Sequence, residues 1–590
     1  MGSVYVAMAD QLFSLGVAIL LSLVGSVIAL RMRLHPIAGL LLLGLAAGPY
    51  GLNLVEGSDL ISSMAEVGAV LLIFGIGLEV DPHSMLGKGL RAIMVAVMKI
   101  TVVFIVVYEC ALVMGFGLVE SLLIGSMLSV TSTAIFAMMS KGRDIERDLL
   151  VTVLIIEVIF AIFVLAMIPG LGNMEAGGLE TLFSMAVSLL ILLGAYLAAR
   201  ALLKFAVPFF MESGNKESIL YTSLALCFIL SFGAKVVGLE AAIGAFLAGN
   251  VMASLRGQSE VYATMKPFTG LFSSFFFLSV GMSINAAAIA ADPWPVIVLA
   301  VVSVVAKYGG TAVAMYFMGV ESSRALGAAA LMLSTGEFSL LMAREASLTL
   351  GTDLTSIIGS VVLIAAVASS ITVINEKWMT RLVEKAVSPK AKMGMRRVSS
   401  YMSDVMEAFE PGGTFHTLFV RELGRVGSSL VNVLIAVAFS LFLLKIAEMS
   451  IAAEYVLWIQ AMAALLTLAA LAYEAPKLFR SALGIMHGIS KAFLRSNAPE
   501  ELDKKMMART VAMVLCLVVA MALAFFFSFM MLPRILYYFL AVFYVLALVF
   551  FIETVFTAGE IFKKKLKEKV HRGGRGGGGL KTTLINFILD

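Results

Sequence analysis

The chain has 590 residues, of which 61% are hydrophobic and 14% charged, against about 25% charged in soluble proteins. That composition excludes a soluble globule and a disordered chain, and the small formal charge of +4, carried by loops and a basic tail, excludes a nucleic-acid-binding surface. Cys110, Cys227 and Cys516 lie in apolar runs, and His35, His83, His416, His487 and His571 lie in loops, linker or tail, so no disulfide, resident metal or other cofactor is expected.

Apolar stretches of spanning length begin with one at about 10–31, which lacks a signal peptide's basic flank and reads as a retained helix. Further stretches follow near 36–55, 60–80, 90–114, 118–139, 147–170 and 178–204, then 218–236, 240–255, 264–285, 293–319, 325–347 and 354–377. Loops after odd-numbered stretches hold the lysines and arginines from Arg31 to Arg381, whereas those after even-numbered stretches hold only Lys235. Cytoplasmic loops collect these residues, so the N-terminus is expected outside and the C-terminus in the cytoplasm. Residues 381–426 read as a cytoplasmic linker, 427–560 as an accessory region of four more spans, and 561–590 as a basic Gly-rich tail. The expected class is an all-α, multi-pass membrane protein.

Two internal matches share nearly one offset. Leu72–Leu78 recurs as Phe276–Met282 after 204 positions, and the polar interruption at Ser129–Thr133 recurs at Ser334–Glu337 after 205. Each pair occupies spans of opposite parity, so the halves at about 10–170 and 218–377 are expected to cross in opposite senses, as inverted repeats.

Polar groups fall at mid-span in four places: Thr131, Ser132 and Thr133; Glu157; Lys307; and Ser334, Thr335 and Glu337. An ionisable group at the bilayer centre costs about 2.5–3.5 kcal/mol on insertion scales, so it needs a partner, water or a function. Helices broken at Ser, Thr and Gly free backbone groups that bind ions where they line a cavity. Glu157 is the candidate for binding Na⁺ or K⁺, because a carboxylate takes either a proton or a hard cation. Thr131 to Thr133 are expected to add oxygens, Lys307 to serve as the counter-charge of Glu157, and Lys307, Glu337, Ser334 and Thr335 to balance charge where the breaks cross. Lys99 and Glu109 are expected to snorkel to the interface.

Seven segments, in order, resemble motifs of the monovalent cation/proton antiporter-2 family: Gly39–Gly51 (GLLLLGLAAGPYG), Gly68–Pro82 (GAVLLIFGIGLEVDP), Ser132–Ala134, Gly244–Gly249 (GAFLAG), Phe277–Met282 (FLSVGM), Lys307–Gly310 and Gly336–Phe338. The resemblance spans about residues 10–380. It implies a thirteen-helix fold with a mobile core domain and a dimerising domain, hence a homodimer, and alternating-access exchange of Na⁺ or K⁺ for H⁺. This chain departs from the family in carrying Glu157 where Asp is usual, preceded by Ile156 rather than Asp, Asn or Gln. One carboxylate favours electroneutral exchange. No GxGxxG follows residue 380, so no nucleotide-binding domain is expected. The alternatives are a cation channel, which needs a repeated carbonyl filter, or a membrane sensor built on the same fold. No enzyme motif occurs.

Overall fold

The computed structural model describes residues 2–171 and 216–375, apart from short breaks, together with scattered positions such as 194 and others between 378 and 484. The expected seventh span lies outside the described residues, as do nearly all of the accessory region and the tail. The chain divides into two units, Met1–Leu478 and Phe479–Asp590; the helices below belong to the first.

The first half contains α1 (Gly2–Arg31), α2 (Pro36–Ala47), α3 (Asp59–Glu79), α4 (Pro82–Val113), α5 (Leu118–Ser129), α6 (Thr133–Met139) and α7 (Arg147–Leu171). The second contains α8 (Lys216–Val236), α9 (Ala241–Ala253), α10 (Gln258–Ser283), the short α11 (Ala286–Ala291), α12 (Trp294–Phe317), α13 (Ser322–Leu331), α14 (Glu337–Leu350) and α15 (Leu354–Ile374). Among the described residues, eight helical stretches are long and apolar enough to cross a bilayer, and α2 and α9 are shorter apolar helices.

The second expected span, drawn to residue 55, stops as a helix at Ala47. Gly48 is extended (φ −74°, ψ 178°), because the residue before Pro49 is sterically driven out of the helical region. The fourth expected span matches the spanning stretch Arg91–Val113, but the helix that carries it begins earlier, at Pro82. Proline suits a first helical position, where its missing N–H has no partner to lose.

Two helix groups emerge. In one, α3 packs on α9 and α10, α10 on α2, α1 on α2, and α8 on α9; in the other, α4 packs on α5, α7 and α12, α12 on α13 and α15, and α14 on α7 and α15. Contacts between the groups are lighter, chiefly α2 and α10 on α15. The pairings are reciprocal, since α2 lies on α10 as α9 lies on α3.

Glycines set these approaches. A Cβ on Gly44 would sit 2.2 Å from the Leu278 carbonyl oxygen, and one on Gly249 would sit 2.2 Å from that of Phe74. A Cβ on Gly39 would sit 2.0 Å from the Gly25 carbonyl oxygen, and one on Gly244 would sit 2.1 Å from that of Leu230. Each pair is separated by the same offset of about 205 positions that the motifs show. Helices this close gain dispersion contacts, a main source of association where lipid is as apolar as the side chains.

Candidate ion-binding site

Both interrupted spans are broken helices. The first leaves the helix at Val130 (φ −85°, ψ 141°) after α5 and resumes at α6, where the Ser132 hydroxyl caps the new helix by accepting Ile135 N–H at 3.3 Å. Small hydroxyl side chains compete for backbone groups in this way and favour a break. The second leaves α13 at Met332 and resumes at α14 after an extended Gly336 (φ −124°, ψ −164°).

The two breaks touch. Ser132 N–H donates to the Ser334 carbonyl at 3.2 Å, and the Ser339 hydroxyl donates to the Met127 carbonyl at 2.5 Å. Thr131, Ser132, Ser334 and Thr335 are each at most 1% exposed. The irregular backbone is therefore enclosed in protein, the condition for tolerating it at membrane depth.

Lys307, on α12, reaches the helix ends that point their carbonyls at the crossing. Its ammonium donates to the Val130 carbonyl at 2.8 Å, the Ser334 carbonyl at 3.2 Å and Thr335 Oγ1 at 2.7 Å. Glu337, in the first turn of α14, takes the opposite ends: it accepts the Ser132 hydroxyl at 3.0 Å and the Thr133 hydroxyl at 2.6 Å. A cation thus meets the partial negative charge of helix C-termini, and an anion the partial positive charge of N-termini. The Ser334 hydroxyl, fully buried, has no hydrogen-bond partner among the described residues.

Glu157, on α7, is fully buried beside the first break, but its counter-charge is not Lys307. Lys99, on α4, donates to Glu157 Oε1 at 2.5 Å and also to Thr131 Oγ1, while Thr131 N–H donates to Glu157 Oε2 at 2.8 Å. Both side chains are 0% exposed. This corrects two expectations, that Lys307 partners Glu157 and that Lys99 snorkels to the interface. Lys99 lies 8 residues after Arg91 and 14 before Val113 (99 − 91 and 113 − 99), the ends of the spanning part of α4, or about 12 and 21 Å at 1.5 Å per residue, and its side chain turns into the bundle onto Glu157 instead of along the helix toward an interface. A usable signal was its place on α4, the repeat counterpart of the helix that carries Lys307. Glu109 is exposed.

The structure therefore brings Thr131, Ser132, Thr133, Glu157, Lys307, Ser334, Thr335 and Glu337 to one crossing and adds Lys99. A family model described as sodium/hydrogen exchanger, transmembrane, matches residues 17–375. The chain belongs to this family. The match agrees with the resemblance read from the motifs. The glutathione-regulated potassium-efflux system protein KefC of Klebsiella pneumoniae is 33% identical over 293 residues, which cover 46% of this chain and 45% of that protein. KefC of Escherichia coli is 33% identical over 289 residues, again 46% and 45%. The chain thus spans about half the length of the curated relatives it matches. Among solved structures, the sodium proton antiporter MjNhaP1 from Methanocaldococcus jannaschii aligns with a TM-score of 0.51 at 17% identity, covering 64% of this chain and 99% of that one. At that identity the likeness bears on the fold alone.

Proposed function

We propose that the protein is a secondary antiporter that exchanges Na⁺ or K⁺ for H⁺, with Glu157 as the carboxylate on which cation and proton compete. The observation that carries this reading is a fully buried carboxylate that accepts a backbone N–H of a broken helix, where that break crosses a second one. Oxygens of Thr131, Ser132 and Thr133 are the further cation ligands. Lys307, Thr335, Ser334 and Glu337 hold the crossed breaks together and neutralise the partial charges of their buried ends. Exchange proceeds by alternating access, with the α4–α7 and α12–α15 group moving against the α1–α3 and α8–α10 group, whose mutual contacts are lighter than those within each.

In this reading residues 1–380 form the transport domain, built of inverted repeats at about 10–170 and 218–377, and 427–560 form an accessory membrane region joined by the linker at 381–426. The protein sits in the cell membrane as a homodimer, with its N-terminus outside and its basic tail in the cytoplasm. The Lys/Arg asymmetry of the loops supports that orientation.

The test is exchange in proteoliposomes with an imposed pH gradient. Addition of Na⁺ or K⁺ collapses the gradient for the unaltered protein, while Glu157→Gln, folded by its thermal melt, abolishes the effect. Full exchange by Glu157→Gln would remove Glu157 from this role.

A further inference from the structure

A second set of charged groups lies where α3 and α9 begin and α8 and α14 end. Arg344 of α14 meets Glu66 of α3 at 3.6 Å. The next residue, Glu345, shares a hydrogen bond with the carboxyl of Glu240, which immediately precedes α9. Lys235, in the last turn of α8, stands near the same pair. Glu345 is eight residues along α14 from Glu337, about 12 Å at 1.5 Å per residue, so this cluster is apart from the crossed breaks. α14 belongs to one helix group and α3, α8 and α9 to the other. Both bonds therefore cross the boundary between the groups.

One of the two bonds depends on a proton. An ionised carboxylate only accepts hydrogen bonds, so two carboxyls bond to one another only while one of them is protonated. With both ionised, they repel. Three carboxyls and two cations meet here, so one proton makes the cluster neutral and its loss leaves a negative charge. That proton belongs to the pair. The Arg344–Glu66 bond beside it needs none.

Other charges on the surrounding helices are engaged or placed elsewhere. α15 carries none along its length, and its N-cap Asp353 accepts Ser356 N–H at 3.2 Å. Glu120 of α5 accepts Gly117 N–H at 2.9 Å. On α7, Glu157 lies at the crossing and Arg147 and Asp148 in the first turn. On α3, Asp59 is the first residue and Glu79 the last. Lys216 and Glu217 begin α8, at the end opposite Lys235. On α10, Glu260 and Lys266 flank Tyr262, whose hydroxyl donates to Glu79 at 2.9 Å.

We propose that Glu345 and Glu240 form a proton-dependent latch between the two helix groups, with the Arg344–Glu66 pair beside it. While the pair holds its proton, the latch keeps this edge closed; when the proton leaves, the carboxylates repel and the edge opens. The proposal rests on the antiport reading for the motion that the latch controls. In the orientation proposed above, this edge is the outer one, since loops after even-numbered stretches lie there. An alkaline exterior then favours the outward-open state and an acid exterior the closed one. This dependence is separate from competition between cation and proton at Glu157.

The test follows the separation of the groups directly. Spin labels are attached at Phe232→Cys of α8 and Leu348→Cys of α14, both positions 71% exposed, in the full-length protein with Cys110, Cys227 and Cys516 replaced by serine. Their distance is measured by pulsed dipolar spectroscopy in lipid nanodiscs from about pH 5 to pH 9, with exchange in proteoliposomes alongside. The longer distance should gain population as the pH rises. Glu345→Gln donates to Glu240 without titrating, and should lower that population at the alkaline end about fivefold, the shift that one hydrogen bond supplies, and slow exchange there. Glu345→Ala removes the latch and should show the longer distance even at the acid end. Both variants leave Glu157 and the crossing in place, so a pH response arising there would persist in both. A separation independent of pH in the unaltered protein, alkaline opening of Glu345→Gln equal to the unaltered protein's, or acid closure of Glu345→Ala would overturn the latch; if one variant does not fold, the other decides. Failure of the antiport reading looks different: Na⁺ and K⁺ would drive no exchange at any pH, while the separation still responded to pH and to Glu345.

Discussion

Gly336 passes Ser132 so closely that a Cβ at position 336 would lie 2.5 Å from the Ser132 Cα. This contact lets the two breaks share a backbone hydrogen bond and brings Glu337 within reach of the Ser132 and Thr133 hydroxyls. The Gly336 backbone is extended, which any residue tolerates. The need for glycine is therefore steric.

Gly336→Ala should push the breaks apart. The atom met is backbone and cannot rotate away, so the expected cost is about 2–3 kcal/mol, read as a lower melting temperature in detergent together with loss of exchange. An unchanged melt would mean the crossing is looser than it stands here.

Lys307→Met should destabilise the protein by about 3 kcal/mol, since it strips a charged donor from two carbonyls and a hydroxyl and leaves the buried cluster with a net negative charge. The comparison is Glu66→Gln. That carboxylate meets Arg344 at 3.6 Å with side chains 60% and 21% exposed, and exposed pairs contribute at most about 1 kcal/mol. Parallel melts should separate the two variants clearly; equal shifts would contradict the burial argument.

Gly44→Ala and Gly249→Ala should have matching effects, because each adds a methyl 2.2 Å from a carbonyl oxygen, Leu278 on α10 or Phe74 on α3, in repeat-related contacts. Each is expected to lower stability by about 1–3 kcal/mol. A large loss in one with none in the other would show that the two approaches are not equivalent.

His35 lies outside the spans, where its Nδ1 accepts Ile37 N–H at 3.3 Å at the start of α2. Burial pushes its pKa down from 6.5 to about 4. Between those values the folded protein binds fewer protons than the unfolded chain, so this contribution to stability rises with pH and is lost as the pH falls from about 6.5 through 4. The shift corresponds to about 3 kcal/mol below both values. His35→Asn keeps a capping acceptor without a titrating group, so its melting temperature should fall less steeply over that range. Identical acid limbs would remove His35 from the account.

Much of the helical region at about 10–377 was legible along the chain. Apolar run length marked the spans, and the hydroxyl clusters at Ser129–Thr133 and Ser334–Glu337 marked the breaks, because both signals are local. The offset of about 205 positions read from two motif pairs recurs in the reciprocal glycine contacts, since repeats that pack on each other place equivalent residues in equivalent contacts. The early end of α2 was also readable in principle from Gly48-Pro49, but hydropathy outweighed it.

The lysine beside Glu157 was a different kind of question. Lys99 and Lys307 occupy counterpart helices, and no local spacing tells them apart. How α4, α7 and α12 are rotated and how closely they pack decides which ammonium comes within hydrogen-bond distance of that carboxylate and which reaches the carbonyls of the breaks. Hydropathy and motifs place a charge at a depth in the membrane. Its partner is set by distances of a few ångströms between helices far apart in the chain, and those exist only once the helices are packed.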